Sequence, residues 1–222
     1  RDTMSDTWVA VDDLGRVTPS RADIPLPRKD RFVGMFYFLW LGAHGQQGPF
    51  DVTKILAAHP NAMNEPDNPA WGPPGHYHHW GEPLFGYYLS DDRWVIRKHA
   101  QMLADAGVDV VIFDCSNTFT YKESYIPLLE VFAEVRRDGG RAPQVAFLCP
   151  FGDPNNVSAK TCEKVYDDLY APGLFPDLWF RWEGKPLILA LPDNVRPDVR
   201  EFFTFRRPEP SYFVGPRQPN MW

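Results

Sequence analysis

The chain has 222 residues, with 29 acidic against 23 basic side chains for a formal charge of −6, and 44% hydrophobic residues, enough for the core of one domain. Lys and Arg are outnumbered, scattered and not interleaved with aromatics, which argues against a nucleic-acid surface, and no stretch approaches the roughly 18 consecutive apolar residues of a membrane span. Its 23 prolines, roughly twice the usual share, and 15% aromatics argue against both a helical bundle and disorder, and for long aromatic loops on a rigid scaffold.

Residues 1–30 carry Pro19, Pro25 and Pro27 among charges with no sustained period, and are expected to form an extended leader ahead of a domain over 31–222. Residues 31–41 (RFVGMFYFLWL) are nearly all apolar and predict a strand buried on both faces. The connection 42–91, rich in Gly, Pro, His and Trp, offers only a short helix over 52–58. Ser90, Asp91 and Asp92 supply N-caps for a helix over 94–106, closed by Gly107. Its apolar face holds Ile96, Ala100 and Leu103 beside Val95, His99, Met102 and Ala106.

A second buried strand is expected at 108–114 (VDVVIFD), a helix at 121–137, a strand at 145–149 and a helix at 158–170. A hairpin around Trp182, Glu183, Gly184 and Lys185 leads to a strand at 186–191, followed by a helix at 197–203 and a strand at 212–214. Five buried strands alternating with helices predict an α/β fold with a parallel sheet. A complete (β/α)₈ TIM barrel takes about 250 residues, so the sheet is either open or the first half to two thirds of a barrel. The odd count of three cysteines (Cys115, Cys149, Cys162), two at the ends of apolar runs, reads as buried thiols.

In parallel α/β folds chemistry gathers where strands end. The first strand ends at Tyr37, Trp40 and His44, the second at Asp114, Ser116 and Asn117, the third at Phe151 and Asp153, and the fourth at Asp193 and Asn194. Asp114 stands out because Val-Val-Ile-Phe carries its carboxylate to the mouth of the sheet; the plainer role is to accept amides and fix the strand end. The loop 71–83 (WGPPGHYHHWGEP) is the densest constellation, offering aromatic faces beside hydrogen-bonding edges, as a sugar needs. His76, His78 and His79 with Glu82 offer a metal-hydrolase alternative, and rings that merely plug the mouth a structural one. His99 reads as a helix residue rather than a catalyst. No Gly-x-Ser-x-Gly, Walker, Gly-x-Gly-x-x-Gly or Cys-x-x-Cys motif occurs.

Taken in order, Phe36-Tyr37-Phe38-Leu39-Trp40, then His79-Trp80, then Met102-Leu103-Ala104-Asp105-Ala106-Gly107-Val108-Asp109 resemble the N-terminal half of the family 99 and family 71 glycoside hydrolases, the endo-α-mannosidase and α-1,3-glucanase clan, over about residues 31–192. The resemblance implies a (β/α)₈ barrel acting on glycosides, with Tyr37, Trp40, His79 and Trp80 around a subsite pocket. Family 99 enzymes carry their catalytic pair in a Glu-Trp-x-Glu-like motif late in the barrel, and this sequence has none.

The expectation is a glycosidase needing no metal or organic cofactor, with Asp114 as base or nucleophile and Glu82 as acid. His44, Asn117 and Asp153 join Tyr37, Trp40, His79 and Trp80 in binding a carbohydrate substrate. The alternatives are a non-catalytic carbohydrate-binding relative and the metal hydrolase. A polysaccharide enzyme is expected to be secreted or periplasmic. Five strands would leave two open edges, so residues 1–222 are expected to need the remainder of a longer chain or a homo-oligomeric partner.

Overall fold

The computed structural model describes residues 9–20, 22–23, 31–44, 47–79, 81–152 and 154–208. Its strands are β1 (Gly34–Tyr37), β2 (Val110–Asp114), β3 (Gln144–Leu148), β4 (Arg181–Trp182), β5 (Lys185–Leu189) and β6 (Thr204–Arg206). β1, β2, β3, β5 and β6 pair in that order, all parallel, while β4 is an antiparallel lead-in to β5. Helices α1 (Leu41–His44) and α2 (Val52–Ala58) lie in the long first connection, and α3 (Arg93–Asp105), α4 (Lys122–Arg137), α5 (Val157–Val165) and α6 (Pro197–Phe202) in the crossovers.

Parallel strands that follow chain order without reversal make a singly wound arc, whereas a doubly wound sheet reverses at a switch point. Among the described residues the arc does not close, and β1 and β6 each keep one unpaired edge.

Side-chain alternation along the strands divides the apolar residues between two faces. Val111, Phe113, Val145, Phe147 and Ile188 join Leu128, Leu129 and Phe132 of α4 in the main core. Val110, Ile112, Ala146, Leu148, Leu187 and Leu189 form a smaller cluster on the opposite face, covered in part by Phe180. Asp92 caps α3 by accepting the Trp94 and Val95 amides at 3.0 Å, and Arg93 reaches Glu130 and Glu134 of α4 at 2.7 and 2.6 Å. These partly exposed ion pairs add little energy; the rotation of α3 is set by its buried Val95, Ile96, Ala100 and Ala104, which face inward. Met102 and Ala106, expected on that face, are exposed.

Three expectations are corrected. The strand over 31–41 shortens to Gly34–Tyr37, and Gly34, Met35 and Phe36 are exposed, because β1 is an edge strand that α3 meets only at its end, through Tyr37. β6 was not foreseen, since Thr-Phe-Arg is too short and polar to register as an apolar run. The helix expected over 158–170 widens after Val165 into a π-helical turn, Tyr166–Tyr170. The hairpin is present, with Glu183 at φ +54° and Gly184 at φ +84°, as a type I′ turn requires. All three cysteines are buried free thiols, and the neighbouring Cys162 together with burial pushes the Cys149 thiol well above its ordinary value. The strand expected over 212–214 lies outside the described residues.

The π turn buries Tyr170 against Trp179 and Phe203, with ring centroids 4.9 and 4.8 Å away, and no described protein group pairs with its hydroxyl. Because an unpaired buried hydroxyl costs about 1–3 kcal/mol, Tyr170→Phe is expected to leave stability unchanged or raise it, measured by urea denaturation. A loss above about 1 kcal/mol would show that the hydroxyl has a partner.

At the open edge Phe32, Val33, Met35, Phe36 and Phe38 are all about half exposed. Residues 1–222 alone are therefore expected to bind the dye ANS and to self-associate. A cooperatively melting monomer that leaves ANS dark would contradict this and favour an open α/β sheet over part of a barrel.

Candidate functional site

A cavity of about 380 Å³ lies at the C-terminal end of β1, between that strand, α3 and the loop preceding α3. Its rings form a continuous chain. Trp40 meets Tyr77 edge-on at 5.3 Å, Tyr77 meets His79 at 5.2 Å, and His79 approaches Tyr87 and Tyr88 at 5.7 and 6.0 Å. Tyr88 then meets His99 at 5.8 Å, and the Tyr37 hydroxyl lies 2.8 Å from His99 Nδ1. Ser90 Oγ, also in the lining, accepts the Leu41 amide at 3.2 Å. Burial lowers the pKa of both His79 and His99 and raises that of the Tyr37 hydroxyl.

The loop 71–83 builds one wall of this cavity, and its histidines separate. Tyr77 pairs with Gly42 in an antiparallel bridge, its amide donating to the Gly42 carbonyl at 3.1 Å. Gly42 has φ +72°, and a Cβ there would lie 2.1 Å from the Gln47 carbonyl oxygen, so only glycine can occupy this junction. Next to the bridge, side chains alternate in direction as on a strand. Tyr77 and His79 line the first cavity, while His76 and His78 line a second one of about 590 Å³ with Trp71, Met63 and Asp67.

The metal alternative fails on this alternation. His76 and His78 face one cavity and His79 the other, so the three imidazoles do not converge on one ion, and one nitrogen of His78 is taken by a carbonyl, Nε2 lying 2.7 Å from that of Trp71 and Nδ1 3.0 Å from that of His76. Among the described residues no group of three or more His, Cys, Asp or Glu side chains is arranged to hold a metal ion.

A second cluster stands at the end of β2. Asp114 is half-buried and its Oδ1 accepts the Ser116 amide at 2.9 Å. His44 stacks on Phe119 at 4.5 Å and lies 6.2 Å from the ring of Tyr121, whose hydroxyl accepts from Asn117 Nδ2. Of the nine non-glycine residues with positive φ among the described residues, seven (His44, Gln47, Thr118, Tyr121, Asn155, Asn156 and Asn194) lie in loops after parallel strands. Such conformations cost energy and concentrate where a fold does its work. Thr118, β-branched at φ +77°, is the most demanding of them.

The residues expected from sequence thus fall into two groups. Tyr37, Trp40 and His79 share the cavity, whereas His44, Asn117 and Asp114 gather at the end of β2. Glu82 is exposed beside Pro83, which lines the cavity. Trp80 and Asp153 lie outside the described residues. Sequence reasoning did not place Tyr77, Tyr88 or His99 in a common site. For His99 the signal was its position on the inward stripe of α3 with Val95, Ile96 and Ala100, a polar ring among apolar neighbours.

No family model and no curated protein matches this chain. Two solved structures of the GH99 endo-alpha-mannosidase from Bacteroides thetaiotaomicron are similar in part. One, in complex with BIS-TRIS-propane, shares 22% sequence identity and covers 70% of this chain and 40% of that chain, with a TM-score of 0.41. The other shares 21% identity over 70% of this chain and 44% of that chain, also at 0.41. This chain therefore spans less than half the length of those structures.

Proposed function

We propose that the cavity at the end of β1 binds carbohydrate and that the protein hydrolyses glycosidic bonds in a poly- or oligosaccharide. The observation that carries this reading is the cavity's composition. Aromatic faces from Trp40, Tyr77 and Tyr88 surround directed polar atoms of Tyr37, His79, Ser90 and His99, and a sugar offers C–H faces and hydroxyls to match. We assign Asp114, at the mouth of the sheet, as base or nucleophile and Glu82, on the rim, as acid. A retaining pair works at roughly 5 to 5.5 Å and an inverting pair at about 6.5 to 9.5 Å. We further assign His44 and Asn117 to a neighbouring binding surface, and propose that Trp80 and Asp153 also bind substrate.

One observation favours a second reading, carbohydrate binding without cleavage: the described residues lining the cavity include no carboxylate. A panel of α-linked manno- and gluco-oligosaccharides, screened in parallel for product release and for calorimetric binding, separates the two. Release of shorter sugars is the expected result. Binding with no release selects the binding reading, and neither signal on the whole panel removes both.

A further inference from the structure

We propose that His99 sets the hydrogen-bond polarity of the cavity: while its imidazole is neutral, with its one proton on Nε2, the Tyr37 oxygen is presented to a ligand as an acceptor, and once it is protonated Tyr37 is presented as a donor. The geometry is a single contact, Tyr37 Oη to His99 Nδ1 at 2.8 Å. A neutral imidazole with Nδ1 unprotonated accepts the Tyr37 O–H, leaving the phenol oxygen's lone pairs for another partner. An imidazolium must donate its Nδ1–H to that oxygen, and the Tyr37 O–H turns away to find another acceptor. The phenol keeps its own proton in both states, because burial raises its pKa.

The surroundings favour the neutral form. From β1 Tyr37 faces the imidazole, with Phe113 of β2 behind it. From the loop before α3 come Tyr88 and Phe85, with His79 beyond Tyr88. On α3 itself, Lys98 is turned over the Trp94 ring. None of these is a carboxylate, so an imidazolium would find no counter-charge among the described residues that face it, and burial holds His99 below its ordinary pKa of 6.5.

A ligand filling the cavity displaces water and deepens that penalty. Since the free protein binds the proton more readily than the complex, affinity is full above pH 6.5 and falls as the pH drops through the His99 midpoint. A ligand that lowers the midpoint by one unit loses up to about tenfold in affinity.

Only the choice of a sugar as probe rests on the proposed function. In the full chain, NMR titration of the His99 ring and the Tyr37 ζ-carbon from pH 4.5 to 8 is expected to give one shared midpoint below 6.5. Tyr37→Phe, which removes only the hydroxyl, is expected to move the His99 midpoint. Mannotriose affinity is expected to weaken about tenfold in acid for the wild type and to be flat with pH in His99→Asn, whose amide stands at the position of Nδ1 and keeps a hydrogen bond to Tyr37 without titrating. A Tyr37 signal that ignores the His99 titration overturns the proposal. So does acid weakening that survives in His99→Asn, which would assign it to His79. If Tyr37 follows His99 but mannotriose binds at no pH, the switch stands and the sugar reading of the cavity is what fails.

Discussion

Asp114→Asn is expected to lower turnover of a cleaved α-linked oligosaccharide by about 10²- to 10⁴-fold, the range for loss of a positioned acid or base, with the fold intact. The four residues before Asp114 in β2, Val110–Phe113, are buried, so the strand end that carries the carboxylate is held rigidly. The carboxylate accepts the Ser116 amide through Oδ1, and an asparagine carbonyl can accept the same bond, so the substitution keeps the turn and removes only the charge and the proton acceptor. Glu82→Gln is expected to slow the same reaction while leaving stability unchanged, since Glu82 is exposed. Wild-type turnover in both variants would end the assignment and return Asp114 to a strand-end acceptor.

Phe147→Ala is expected to cost about 3–5 kcal/mol of stability. Phe147 is fully buried on β3, the strand between β2 and β5, and its ring meets Phe113 at 5.1 Å, Tyr125 at 5.3 Å and Tyr170 at 6.2 Å. Paired strands on both sides leave the site little freedom to collapse into the void. Phe36→Ala removes the same ring from half-exposed β1, and is expected to cost less than about 1 kcal/mol. Urea denaturation with matched m-values measures both. Equal losses at the two positions would mean that the β1 edge is covered in solution, and that the exposed face seen here is a buried one.

What the sequence made legible follows from how each element is stabilised. Val110–Phe113 and the apolar part of Gln144–Leu148 were visible because strands buried on both faces require unbroken apolar runs. The helix Val52–Ala58 and the hairpin turn at Glu183 and Gly184 were visible because their signals are local. β1 has an equally apolar sequence and a different environment, since burial there depends on a neighbour that the run itself cannot reveal. β6 depends on its partner Leu187–Leu189 rather than on its own three residues. The histidine loop shows the same limit for function. Composition drew attention to residues 76–79, but the Tyr77–Gly42 bridge decides which side chains face which cavity. His99 was hidden by helical periodicity, and only the packing of α3 against β1 brings it to Tyr37.

The most direct test of the account is calorimetric titration of the same oligosaccharide panel into Trp40→Ala, Tyr77→Ala and Met63→Ala. Trp40 and Tyr77 wall the cavity at the end of β1, whereas Met63, exposed, lines only the second cavity across the histidine segment. Loss of either ring is expected to weaken binding roughly tenfold, about 1.4 kcal/mol, in line with the worth of an aromatic contact beyond its buried area. Met63→Ala is expected to match the wild type. Undiminished binding in both ring variants together with a loss in Met63→Ala would contradict the account and move the carbohydrate site to the opposite side of the wall.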